Sequence, residues 1–192
     1  MLLNIDREED LRMAVDALRA GRLVAFPTET VYGLGADGFN EEACRAVYAA
    51  KGRPSDNPLI LHIADMSALR DIAEDIPEAA VDLAEAFWPG PLTLVLKKRR
   101  NVSSVVSGGL DTVAVRMPDN DLARRLIRAL GHPLAGPSAN LSGHPSPTLA
   151  AHVEHDFGDH IAGVVDGGPC RVGVESTIVD LTVQPYAILR PG

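Results

Sequence analysis

The chain of 192 residues has only two cysteines, Cys44 and Cys170, far apart and without a C-x-x-C pair. That scarcity argues against a disulfide scaffold and against a cysteine-built zinc site. Long apolar runs are also missing: Gly, Pro or a charge breaks each stretch well before the roughly 18 residues of a membrane-spanning helix. No membrane partner is expected. The start, MLLNIDREED, carries acids where a signal peptide needs a basic region and an apolar stretch. A cytoplasmic location is the expectation. Basic residues are the minority, 18 Lys plus Arg against 26 Asp plus Glu for a net charge of −8, a poor match to a nucleic-acid backbone. Lys97-Lys98-Arg99-Arg100 is the candidate for a local RNA contact, although so short a run also fits a solvated strand end. Neither G-x-x-x-x-G-K-[ST] nor G-x-S-x-G occurs, leaving a P-loop and a hydrolase elbow unsupported. His152 and His155 lack a third ligand at suitable spacing, and His160 does not supply it. No protein-built metal site is expected.

What is present is an apolar fraction of 46%, enough for one sizeable core and a single domain over residues 1–192. Helical spacing predicts helices over 8–20, 41–51, 66–74, 78–87, 121–130 and 148–157. Apolar or β-rich runs predict strands in RLVAFP, LILHI, 92–97, TVAVRM and PLAGPSA, then near 162–166, 175–181 and 186–190. This alternation defines an α/β domain, and the strand-rich last third predicts a mixed sheet rather than a purely parallel one.

GLGADG, residues 33–38, fits G-x-G-x-x-G, but its context is wrong for a dinucleotide fingerprint. Six residues, PTETVY, separate it from the preceding strand, and Phe39-Asn40 precede the next helix. The informative features are three polar, Gly/Pro-rich segments read as long loops: PTETVYGLGADG, KGRPSDNP and GPSANLSGHPSPT. Lys51 and Arg53 project from a segment stiffened by Pro54 and Pro58, a pair suited to polyphosphate or to the macrodipole at a helix C-terminus. Ser138, Asn140 and Ser142 lie between glycines, where backbone approaches a ligand closely or a turn bonds to itself. His62 interrupts an apolar strand and reads as a core histidine unless a ligand lies at the strand's end.

PTETVYGLG, KGRPSDNPL, WPGPLTLVL, VAVRMP, PSANLSG and STIVD, in this order and spacing, strongly resemble the YrdC/TsaC family of threonylcarbamoyl-AMP synthases from about Leu18 to Gly192. The resemblance implies a twisted α/β sheet with flanking helices and a deep central cleft. It also implies condensation of L-threonine, bicarbonate and ATP to L-threonylcarbamoyl-AMP and pyrophosphate, for threonylcarbamoyladenosine modification of tRNA. On the family's K-x-R and S-x-N signatures it marks Lys51, Arg53, Ser138 and Asn140 as catalytic. ATP contacts fall on Lys51, Arg53, Asn57, Thr112, Ser138, Ser146 and Arg190, and threonine contacts on Thr30, His62, Arg116, Gly136 through its backbone, and Ser176. A Mg²⁺ ion held mainly by substrate phosphates is expected, with no protein metal ligands.

Two departures stand out. Gly136-Pro137 replaces residues that often carry hydroxyls in the family, removing side-chain contacts there. The sequence ends at ILRPG without the extra domain of longer members, resembling the short bacterial form that depends on separate tRNA-modification proteins. An RNA-binding module of the same fold, with weak tRNA contact, and a related carbamoyl-adenylate enzyme with another acceptor are the alternatives.

Overall fold

The helices begin and end where the sequence supplies caps. In the computed structural model, which describes residues 1–192, the six helices are α1 (Glu8–Arg19), α2 (Glu41–Lys51), α3 (Leu69–Ile72), α4 (Glu78–Phe87), α5 (Asp121–Leu130) and α6 (Ala150–Phe157). Asn40 caps α2 by accepting from the Ala43 amide at 3.1 Å, and Asn120 caps α5 in the same way through Ala123. Gly52 and Gly131 close these helices in the left-handed conformation, with φ of 62° and 80°. Fixing both ends of α2 places Lys51 and Arg53 at a defined point. The helix expected over 66–74 is a single 3₁₀ turn followed by the short α3. It stops there because Glu74 N turns away to bond the Lys97 carbonyl and the Ile72 carbonyl accepts from Arg99 N, which makes Ala73 and Lys98 bridge partners.

The strands are β1 (Leu2–Leu3), β2 (Val24–Phe26), β3 (Gly33–Asp37), β4 (Ile60–His62), β5 (Leu92–Lys97), β6 (Thr112–Arg116), β7 (Leu134–Gly136), β8 (Gly163–Val165), β9 (Thr177–Asp180) and β10 (Ala187–Arg190). They form one mixed sheet in the order β1-β8-β2-β3-β7-β4-β6-β5-β9-β10. Strand alternation divides the apolar residues between two layers. Val24 and Phe26 join Leu11, Val15 and Leu18 of α1 and Leu126, Ile127 and Leu130 of α5, whereas Ala25 faces the larger core built with α2, α4 and α6.

One expectation is corrected. The segment read as the loop PTETVYGLGADG contains β3, a fully buried strand between β2 and β7. Its glycines serve packing. A Cβ on Gly33 would lie 2.6 Å from the Phe26 ring, and one on Gly35 would lie 2.8 Å from the Val24 carbonyl. Such distances are prohibitive, so the ring of Phe26 lies against a strand with no side chains at those positions. The same ring meets His62 edge-on, with centroids 5.2 Å apart. The glycines thus set the floor beside His62, and β3 leaves no helix N-terminus for a dinucleotide phosphate.

Candidate active site

β4 and β6 run parallel with His62 beside Arg116 and Ile60 beside Ala114. Alternation sends these four side chains to one face of the sheet, where they line a cavity of about 280 Å³. The segment before β3 adds Thr28 and Thr30, β7 adds Gly136, and Ser138 follows it. Arg53 and Asn57 come from the segment after α2, while Glu175, Ser176 and Arg190 come from the β9–β10 edge. Three guanidinium groups, from Arg53, Arg116 and Arg190, therefore face one cleft in a chain of net charge −8. With Glu175 the one carboxylate on the lining, the balance of charge suits an anion.

One end of the cleft is dry, its polar side chains buried and most of them bonded. Arg116 is 4% exposed; its Nη1 donates to Thr30 Oγ1 at 3.0 Å and its Nε to the Gly90 carbonyl at 3.3 Å. Its Nη2 lies 2.6 Å from Oε1 of the equally buried Glu29, although neither atom has a hydrogen bond of good angle. The contact is one of charge. Glu29 uses its other oxygen to accept from the Asp119 amide at 3.1 Å and does not line the cavity. Thr28 donates to the Val31 carbonyl at 2.6 Å, so in its 2.9 Å contact with Thr30 it must accept. Thr30 therefore spends its proton on Thr28 and keeps a lone pair for a ligand. His62 Nδ1 lies 3.3 Å from the Leu134 carbonyl, which can only accept, so Nδ1 carries the proton and Nε2 is an acceptor. Burial, reinforced by Arg116, pushes the ring down to about 3 and keeps it neutral. A cation beside two neutral acceptors can take the carboxylate and amine of an amino acid. Ser176, also buried, shares a 2.8 Å hydrogen bond with Thr93 at the same wall.

The other end is more open. Arg53 is half-buried, its Nη2 donating to the carbonyls of Asn57 and Pro58 at 3.3 and 3.0 Å. Burial holds its guanidinium below the ordinary range, and Arg190, lowered likewise, is anchored on Ser176. Ser138 donates to Asn140 Oδ1 at 2.6 Å, leaving its oxygen lone pairs toward the cavity. Glu175 is the carboxylate on this wall; the Ser146 hydroxyl bonds it and lowers its pKa.

Nine of the sequence-derived residues thus converge on the cavity: Thr30, Arg53, Asn57, His62, Arg116, Gly136, Ser138, Ser176 and Arg190. Five do not line it: Lys51, Thr112, Asn140, Ser142 and Ser146. Lys51 turns its ammonium to the carbonyls of Ser138 and Asn140, the latter at 2.5 Å, and its own carbonyl accepts from Ser142 N. It ties down the PSAN segment, and burial beside Arg53 lowers its pKa to about 8. Asn140 bonds the carbonyls of Leu141 and His144 at 2.8 Å, Ser146 is committed to Glu175, and Thr112 starts β6 opposite Lys97. The basic run is largely committed as well: Lys97 pairs with Glu74 and Asp75, Lys98 bonds Val102 O and Arg99 bonds Ala73 O.

Sequence reasoning missed Glu29 and Glu175. A signal for Glu29 existed, since an arginine at the end of an apolar strand needs a buried counter-ion and PTET holds an acid. Nothing local identifies the pairing of residues so distant in sequence.

A mixed α/β sheet with a cleft on one face of its strands defines the structural class. The Sua5/YciO/YrdC family model, described as Telomere recombination, matches residues 16–192, and the chain belongs to this family. It is 56% identical over 96% of its length to the Threonylcarbamoyl-AMP synthase of Pyrococcus abyssi, covering 54% of that protein. The like-named Vibrio cholerae protein is 42% identical, with 96% of this chain and 98% of the relative covered. Among solved structures, P. abyssi Sua5 complexed with L-threonine superposes with a TM-score of 0.97 at 54% identity, covering all of this chain and 57% of the other. The chain spans about half the length of its Pyrococcus and Bacillus subtilis relatives. No helix is long and apolar enough to cross a membrane.

Proposed function

We propose that the chain is an L-threonylcarbamoyladenylate synthase, joining L-threonine, bicarbonate and ATP with release of pyrophosphate to supply tRNA modification. The observation that carries this reading is the convergence of Thr30, His62 and Arg116 with Arg53, Ser138 and Arg190 on one cavity. Threonine occupies the dry end, its carboxylate on Arg116 and its amine against Thr30 and His62. ATP lies toward Arg53, Asn57, Ser138 and Arg190, so the threonine-derived carbamate meets the α-phosphate in line. Positioning and fixed charge supply the acceleration, with no side-chain nucleophile. Arg53 and Arg190 meet the phosphate charge, while Lys51 acts through the Ser138–Asn140 segment that it braces.

Mg²⁺ belongs with the phosphates. Glu175, the wall's carboxylate, is committed to Ser146, and one engaged carboxylate suits an ion held chiefly by phosphate oxygens and water. When bound, the ion would neutralise phosphate charge. Separate cytoplasmic proteins receive the adenylate and transfer its threonylcarbamoyl group to tRNA.

The test is pyrophosphate release from ATP by the purified chain, with threonine and bicarbonate omitted singly. Release that needs both is the expected result. Release indifferent to threonine would refute the reading.

A further inference from the structure

Glu29 is a buried acid that touches no part of the cavity, yet it sets the charge of the residue that does. Its carboxylate is 2.6 Å from Arg116 Nη2, and both side chains are at most 5% exposed. Water cannot screen the pair, and a ligand meeting Arg116 also feels Glu29 close behind it. We propose that Glu29 is a specificity-determining residue: by making Arg116 half of a neutral pair, it tunes the cavity to ligands carrying carboxylate and ammonium together, and against simple carboxylate anions.

The argument is one of net charge. An amino acid at neutral pH is a zwitterion and adds no charge to the dry end of the cleft. Its carboxylate is attracted by Arg116 and repelled by Glu29, whereas its ammonium meets the Thr30 and His62 acceptors and is drawn by the Glu29 charge. A hydroxy acid brings the carboxylate alone, with the repulsion and without the compensating cation. Removing the Glu29 charge would leave Arg116 as an unopposed buried cation, best matched by an anion. The bonds from Arg116 to Gly90 O and Thr30 hold the guanidinium in place by themselves, so charge and orientation can be separated. Glu29 acts only through the charge of Arg116 and meets no reacting atom.

This inference rests on the reading that the cavity takes threonine. Calorimetric titration of the full chain compares L-threonine with its analogue in which a hydroxyl replaces the amino group. In Glu29→Gln the preference for threonine over the analogue should fall about tenfold or more, while Glu29→Asp, which keeps the charge, should retain it. A purely structural role would weaken both ligands together and leave their ratio unchanged. Acetate provides a test in the wild-type protein, where no variant has to fold: it should not compete with threonine at comparable concentration. An unchanged ratio in Glu29→Gln, or effective competition by acetate, overturns the proposal alone. Absence of threonine binding to the wild type overturns the threonine reading and this inference with it.

Discussion

The two ends of the cleft hold their arginines in opposite ways. Arg116 is sealed against Glu29 and Thr30, among groups whose hydrogen-bond directions are already decided. Arg53 is half-exposed and rests on the carbonyls of two loop residues. The first arrangement is preorganised, so a ligand there pays little for ordering. The second can shift with a long, flexible, highly charged ligand. On the proposed function, rigidity suits threonine, which must be told from its near relatives, and adaptability suits ATP.

Removing Arg116 tests the sealed end most severely. Arg116→Ala leaves Glu29 buried and unpaired, and should cost about 3 to 5 kcal/mol of stability as well as threonine dependence. Urea unfolding measures the first, and pyrophosphate release against threonine concentration the second. A stable variant with unaltered threonine dependence would remove Arg116 from the site. Lys51→Met should behave as an intermediate case, since it orphans one buried and one part-buried carbonyl: about 1.5 to 3 kcal/mol of stability, again by urea unfolding, together with slower ATP turnover. Full stability would show that the ammonium is not a brace.

Arg53→Ala should fall on activity alone, lowering kcat/KM for ATP by the equivalent of about 1.5 to 3 kcal/mol with an unchanged unfolding midpoint. A large stability loss would mean that the open end is as rigid as the other. The last effect is confined to acid pH. His62 stays neutral in the fold down to about 3, whereas in the unfolded chain a histidine titrates near about 6.5. The unfolded state then binds the extra proton, so this contribution lowers stability as pH falls from 6.5 toward 3. Subtracting the stability curve of His62→Gln from that of the wild type isolates it, and a flat difference would contradict the buried neutral ring.

Elements with strong periodicity or caps were legible in the sequence. The helices over 41–51, 78–87 and 121–130 and the strand over 92–97 match their expected bounds, because apolar spacing and caps act within a few residues. β3 was not legible. Its glycines signal turns, and only the close approach of the neighbouring strand, through the Phe26 ring and the Val24 carbonyl, explains them. The same division runs through the site. The motifs pointed to side chains that share one cavity, but they could not show that Lys51 faces carbonyls, that Ser146 is taken by Glu175, or that Arg116 has a counter-ion. Those pairings join residues far apart in the chain and are settled by the fold.

The Phe26 ring also links positions that must change together. The three atoms nearest a Cβ at Gly33 all belong to that ring, so a smaller residue at position 26 should relieve the clash that bars alanine from position 33. At Gly136 the obstacle is the Leu34 carbonyl, 2.5 Å away, and no trimming of position 26 relieves it. Among relatives that share this packing, residues 26 and 33 should therefore covary in size, whereas a side chain at position 136 requires the β3 backbone at Leu34 to shift instead.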